Sequence, residues 1–437
     1  MNSSSLAFVL RGHPAEELPR RRRAKLLAFE LNLPIGVTKM STPIFINPFR
    51  PGAGHMPPYL AGRVEEQKEF SRLLGQQVIL DNLIITGLRG VGKTVLLESL
   101  KPLATAHRWA WVGTELSETA SVTENTLATR IITDLSLITS NFTYTQTSPA
   151  APGFVSKPVV TTHKLDYAFL SGVYANTPGL ASDKLKAVLH IAWSCIQNSD
   201  MYGVVFAYDE AQTLSDHAAK EQYPFSVLLD VFQSIQKSGI RFMLVLTGLP
   251  TLFPRLVQTR TYAERMFRVL TLGRLSDSET KEAIEVPIQN TNAPIKPNAR
   301  GVKTICTLSG GYPYFIQFIC REVFDVWVTN PGATVPTQSI INKLDTDFFA
   351  GRWARATDRQ RDLLAIIAGL PDSDGEFSVA GIVASSKSTA NPFSSSHVNQ
   401  MLSSLADAGL VYKNRYGKYA FAVPMLDDFI RRQRVVE

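Results

Sequence analysis

A short apolar run at residues 82–86 leads directly into Gly87-Leu88-Arg89-Gly90-Val91-Gly92-Lys93-Thr94, and an amphipathic stretch over 95–104 follows at once. A strand, a glycine-rich turn and a helix in immediate succession restrict the chain to folds built from a sheet with packed helices. Gly87, Gly90 and Gly92 permit positive φ and close backbone approach, so successive N–H groups can turn inward onto an anion's oxygens. The helix that starts near Val95 adds the positive potential of its N-terminus at the same place. In the pattern G-x-x-x-x-G-K-[ST], Lys93 is expected to reach the β- and γ-phosphates of a nucleotide and Thr94 to ligate Mg²⁺. ATP and Mg²⁺ are thus the expected cofactors, with residues 87–95 forming the binding loop.

The rest of the first half repeats the alternation. Apolar strands are predicted at 109–112, 202–208, 241–247 and 267–272. Helices are predicted at 124–138 and 185–197, and Leu228, Val231, Phe232 and Ile235 mark another at helical spacing. Strands alternating with helices, each strand a near-continuous apolar run, predict an α/β parallel sheet covered on both faces. Residues 141–180 are rich in Thr, Ser, Pro and Ala with little periodicity and read as an insertion or long loop. Residues 41–58, rich in Pro and Gly, read as an extended arm.

The predicted strand 202–208 ends in Asp209-Glu210. A strand tip beside a phosphate loop can offer one carboxylate to Mg²⁺, here Asp209. The other, Glu210, can polarise the water that attacks a γ-phosphate. The adjacent pair favours hydrolysis over binding alone.

Composition limits the alternatives. The chain has 437 residues, 45% of them hydrophobic and 19% charged, as in an ordinary globular protein. No apolar run approaches the roughly 18–20 residues of a membrane helix. The four arginines at 20–23 follow the short apolar stretch at 6–10 instead of preceding it, so a secretory signal is not expected and a cytoplasmic location without membrane contact is. Cys195, Cys306 and Cys320 are scattered, without ligand spacing, which argues against a disulfide framework or a zinc site. Residues 1–39 carry seven basic against three acidic side chains, a leader suited to nucleic acid or an acidic partner. Met40 is a plausible alternative start.

From Ser276 the pattern becomes helical. Ser276 and Glu279 form a capping box, and Pro287 is expected to stop that helix. Further helices are predicted near 298–308, 312–328 and 337–353. The last residues read as helices at 358–369, 377–385 and 395–408, a hairpin of 410–413 with 418–421, and a final helix near 425–434, the order of a winged helix-turn-helix. There are no internal repeats. The expected organisation is a basic leader and arm (1–57), a P-loop core (58–274), an all-α lid (275–355) and a winged helix (356–437).

Further residues resemble those of AAA+ ATPases of the origin-recognition-like branch, with features of STAND ATPases. Leu60-Ala61-Gly62-Arg63 followed by Glu65-Glu66 resembles the GR-x-x-E box that lies near the adenine in that family. Thr247, at the end of 244–247, matches the first sensor of the γ-phosphate. Arg265, in Tyr262-Ala263-Glu264-Arg265, resembles the arginine finger supplied to a neighbouring subunit. Gly310-Gly311-Tyr312-Pro313 resembles the lid motif whose proline, here Pro313, packs near the base. The resemblance covers about residues 58–437 and implies an ATPase that assembles with copies of itself. It departs from the family at the lid arginine: Arg321 is the nearest candidate after Pro313.

Two functions stay open. In the first, an oligomeric ATPase acts on duplex DNA in replication, transposition or mobile-element control, with Lys413, Arg415 and Lys418 around Tyr416 in the wing meeting phosphates. In the second, a STAND-like signalling or defence switch uses its ATP state to gate assembly with a separate effector or partner protein. Residues 356–437 carry nine basic and nine acidic side chains, and the presumed recognition helix has only His397, Asn399 and Gln400 to offer bases. That neutrality favours the second reading, and the leader and wing favour the first. A P-loop kinase is disfavoured because no second substrate site is visible.

Overall fold

The computed structural model describes residues 45–436, apart from 53, 118, 120–121, 149–158, 294, 372, 374 and 416. The basic leader, the middle of 141–180 and Tyr416 of the expected wing lie outside the described residues, as does the side chain of Arg415.

After α1 (Val64–Leu74) come β1 (Asn82–Gly87), α2 (Lys93–Ala106), β2 (Trp109–Val112) and α3 (Glu124–Thr139). Next stand a two-stranded antiparallel hairpin, β3 (Thr143–Ser148) with β4 (Val159–Lys164), then α4 (Tyr167–Asn176) and α5 (Ala181–Ile196). The stretch that composition presented as an insertion or loop thus contains regular structure. Its threonines suit an exposed ribbon whose pattern hydrophobic periodicity does not detect. β5 (Gly203–Tyr208), α6 (Pro224–Lys237), β6 (Phe242–Gly248), α7 (Leu252–Thr259) and β7 (Phe267–Leu272) complete this part.

Five strands form one parallel sheet in the order β2-β5-β6-β1-β7. Every residue of β1, β5 and β6 is buried, which explains their unbroken apolar runs. Alternate residues feed two separate cores. Ile84, Val204, Phe206, Phe242 and Leu244 pack against α3, α5 and α6 on one face. Leu83, Ile85, Val205, Met243 and Val245 pack against α1 and α2 on the other.

The chain then continues as α8 (Asp277–Gln289), α9 (Ala299–Ser309), α10 (Pro313–Thr329) and α11 (Thr337–Leu344). The Ser276–Glu279 capping box is present. Pro287 does not stop α8, which runs two residues further with the proline buried inside it. A π-helical turn, Asp345–Phe349, and the short α12 (Ala350–Trp353) occupy the end of the helix predicted over 337–353. α13 (Asp358–Ala368), β8 (Phe377–Ser378), α14 (Val379–Ser386), α15 (Ser395–Asp407), β9 (Val411–Arg415), β10 (Lys418–Phe421) and α16 (Leu426–Val436) follow, with a small sheet in the order β8-β10-β9. Among the described residues no helix is long and apolar enough to cross a membrane.

Residues from α8 to α16 share one apolar core. Phe349 stacks on Phe429 of α16 with centroids 5.1 Å apart, and Arg432 forks onto Asp345. The arm joins the same core: Phe49 is buried against Phe324, and Asn47 donates to the Arg321 carbonyl and the Asp325 carboxylate on α10. Removing the Phe349 ring would open a cavity at this joint. Phe349→Ala is expected to lower unfolding free energy by about 3–5 kcal/mol, read from the denaturant midpoint.

Candidate nucleotide site

The C-terminal ends of β1 and β5 open onto one cleft of about 870 Å³. Its walls come from the arm (Arg50, His55), Tyr59, the glycine loop, the residues after β5 (Glu210, Gln212, Thr213), the start of α10 and the turn at 347–352. Ligands of open parallel sheets bind outside the carboxyl ends of the strands, as this cleft lies.

The loop is shaped by its glycines. Gly90 and Gly92 have φ of 80° and 90°, the left-handed region that other residues enter only at a cost. At Gly87 the constraint is space, since a Cβ there would lie 2.6 Å from the Leu272 carbonyl oxygen. Arg63 fastens the loop from behind. Its buried guanidinium donates to the carbonyls of Val91 (3.1 Å) and Gly273 (3.0 Å) and meets Glu66 at 3.4 Å. Gly62 has φ of 63°, and a Cβ there would run into Glu279 and Leu275.

Lys93 is buried and donates to the carbonyls of Gly87 (3.1 Å) and Leu88 (3.0 Å). Burial depresses its pKa most, Glu210 and Asp209 work against that, and Arg89 adds to it. An anion in the cleft would relieve this burial of positive charge. Thr94 Oγ1 donates to Asp209 Oδ2 at 2.5 Å. Asp209 also accepts from the Thr247 hydroxyl and, at 2.8 Å, from the Glu210 amide. It is buried and has no ion-pair partner among the described residues. Thr94, Asp209 and Glu210 offer hard oxygen donors at one spot. Such a set fits Mg²⁺, which keeps most of its shell for water and phosphate and needs one or two protein carboxylates.

Glu210 lines the cleft with φ of 52°, a strained conformation for a residue with a Cβ. Gln212 donates to its carboxylate and accepts from the Leu249 amide (3.1 Å), which ties Glu210 to the end of β6. Nothing in the sequence distinguished Gln212 from a loop residue.

The structure gathers Arg63, Arg89 to Val95, Glu210 and Pro313 around the cleft, with Gly62, Gly87, Leu88 and Asp209 just behind its wall. Thr247 is fully buried on Asp209 and does not reach the cleft wall. Arg265 lies apart, exposed on a 3₁₀ turn (Thr261–Arg265), without a hydrogen bond or ion pair to any described residue. That turn is anchored by Arg260, which forks onto Asp230 at 2.9 and 2.8 Å, and by the Tyr262 hydroxyl, 2.5 Å from the same carboxylate. The Arg260 pair holds the Asp230 carboxyl below its usual range. Arg321 is exposed on α10 and does not line the cleft. Arg352 does, although no motif pointed to it.

The second half of the chain touches the loop directly. The Tyr314 amide, in the first turn of α10, donates to the Gly90 carbonyl (3.1 Å). The Arg89 amide donates to the Ala422 carbonyl just after β10 (3.4 Å), and the Arg89 guanidinium packs on Gly409.

Solved structures share this architecture, among them two ATPase-fold proteins of archaea. The Walker-type ATPase PABY2304 of Pyrococcus abyssi matches with a TM-score of 0.54 at 13% identity, over 85% of this chain and 96% of that one. The ORC2 protein of Aeropyrum pernix, in ADPNP–ADP complexes, matches with a TM-score of 0.50 at 12% identity, over 88% and 98%. The chain has the AAA+ fold. A family profile described as a domain of unknown function (DUF8462) matches residues 346–430, from the π-helical turn into α16. A search of curated proteins by sequence found no match.

Within this AAA+ fold, Arg63 supports the loop from beneath. Arg63→Met keeps the bulk but deprives the buried Val91 carbonyl of its donor. It is expected to cost about 1–3 kcal/mol, seen as a lower denaturant midpoint with an unchanged slope.

Proposed function

We propose that this chain binds Mg²⁺-ATP in the cleft and hydrolyses it as an oligomeric AAA+ ATPase acting on duplex DNA. The observation that carries this reading is the meeting of Thr94, Asp209 and Glu210 at the tip of β5, with Lys93 buried beside them and no cation paired to Asp209 among the described residues.

In this reading the loop amides and the N-terminus of α2 hold the phosphates, and Lys93 reaches between the β- and γ-groups. Mg²⁺, held by Thr94 and through water by Asp209, would neutralise charge between the β- and γ-phosphates. Glu210, fixed by Gln212, takes the proton of a water whose oxygen bonds to the γ-phosphorus. The bond to the β–γ bridging oxygen breaks, and ADP and phosphate leave. Thr247 acts through Asp209, which it touches, and Pro313 closes the base side. Arg265 of one copy completes the site of the next; its exposure and its anchored turn support that role.

The division into leader and arm (1–57), ATPase core (58–274), lid (275–355) and winged helix (356–437) is part of this proposal. DNA contact would come from the basic leader, from the β9–β10 hairpin with Lys413 and Lys418, and from α15, where His397, Asn399 and Gln400 are exposed. One observation favours a second reading, that of a switch gating assembly with a partner protein. The C-terminal segment rests on the phosphate loop through Arg89, Gly409 and Ala422, so the nucleotide state can act on it directly.

ATP hydrolysis by the purified protein, with and without duplex DNA at two salt concentrations, tests the proposal. Turnover stimulated by DNA, with the stimulation fading as salt rises, is expected. Glu210→Gln should bind ATP yet hydrolyse it on the order of a hundredfold more slowly. Wild-type turnover by that variant would remove Glu210 as the base, and turnover indifferent to DNA would favour the switch. Mixing Arg265→Ala with Lys93→Ala should restore part of the activity that each lacks alone. Failure to complement would remove Arg265 as an intersubunit group.

A further inference from the structure

The proposed chemistry uses the phosphate side of the cleft and leaves the base side to Pro313 alone. That side is a corner built by the arm, the turn after β7, α8 and α10. Ala61, Leu275, Ala283 and Ile316 line it, and all four belong to the core that α8 to α16 share. An apolar corner of this kind accepts the flat face of any base and rejects none strongly.

Gln317 is the polar exception. It stands one turn after Pro313 on the same face of α10, lines the cleft and is only 9% exposed. The Arg50 amide donates to its Oε1 at 3.2 Å. A backbone N–H can only donate, so this bond decides which end of the side-chain amide faces the arm. The arm is itself held along α10, where Asn47 donates to the Arg321 carbonyl and Phe49 packs on Phe324. The Gln317 amide is thereby held in one orientation. Its oxygen keeps a second lone pair, and its Nε2 has no hydrogen bond to any described residue. A buried amide with an unused donor beside an unused acceptor is costly until a partner supplies both.

We infer that Gln317 reads the base of the bound nucleotide and selects adenine, with Nε2 donating to a ring nitrogen and Oε1 accepting from the 6-amino group. This inference rests on the proposed nucleotide site. A glutamine amide matches adenine in this way because a ring acceptor adjoins an exocyclic donor on one edge of the base. Guanine and hypoxanthine carry an oxygen at position 6 instead. Set against Oε1, that oxygen meets a second acceptor, and neither finds a donor there. The side chains of Ala61, Leu275, Ala283 and Ile316 have no polar group to make up the loss.

The test compares dissociation constants for ADP and for inosine diphosphate, both with Mg²⁺, on the full chain. The two nucleotides differ only along the 6-position edge of the base. The wild-type protein should bind ADP more tightly by on the order of tenfold or more. Gln317→Met keeps the length and bulk without the amide, and it should bring the ratio close to unity, chiefly by weakening ADP. Gln317→Asn, whose amide is drawn back by one carbon, should narrow the ratio, and it carries the test if the methionine variant does not fold. Equal affinities in the wild type, or a folded variant that weakens both nucleotides alike or neither, would overturn the role of Gln317 while leaving the nucleotide site standing. A wild-type protein that binds neither nucleotide would overturn both.

Discussion

The buried carboxylate of Asp209 ties the site together. It stands at the end of β5 and accepts hydrogen bonds from Thr94 on α2, from Thr247 on β6 and from the amide of Glu210. A carboxylate out of water must be satisfied from several sides or it takes up a proton. Satisfying this one fixes the start of the loop helix, two central strands and the residue that follows in a single geometry. The left-handed turn at Glu210 is a consequence, because its amide must point back to Asp209 while its own carboxylate faces the cleft.

A second constraint acts from the other half of the chain. Two carbonyl-to-amide contacts, Gly90 with Tyr314 and Ala422 with Arg89, place the helical and C-terminal segments against the phosphate loop. Because α8 to α16 share one core, those segments meet the loop as one packed body. The arm binds that body through Phe49 and Asn47 and then returns along the cleft to Arg63. A group bound in the cleft would therefore touch the arm, the phosphate loop, the residues after β5, the start of α10 and the turn at 347–352.

Much of this was legible in the sequence for physical reasons. The three inner strands, β1, β5 and β6, are apolar because both faces are covered, so each stood out as a nearly unbroken run, down to the acids that follow β5. The glycines at 90 and 92 announced a backbone conformation that the loop adopts. The β3–β4 hairpin did not stand out, because threonine on an exposed ribbon has no hydrophobic period. Pro287 misled because α8 runs two residues past it with the ring buried. The parts of the site that depend on long-range packing were invisible. Arg352 reaches the cleft only because a π-helical turn redirects it, and Thr247 is withdrawn from the cleft by its bond to Asp209. Neither fact has a signature in local spacing.

Diffraction from crystals of the Glu210→Gln protein grown with Mg²⁺ and ATP tests the central claim most directly, that residues 87–94 and the tip of β5 hold a metal-bound nucleotide. One nucleotide per chain is expected, its triphosphate against the loop amides and Lys93, with a metal beside Thr94 and Asp209. A nucleotide bound elsewhere, or an empty cleft at saturating ATP, would contradict it.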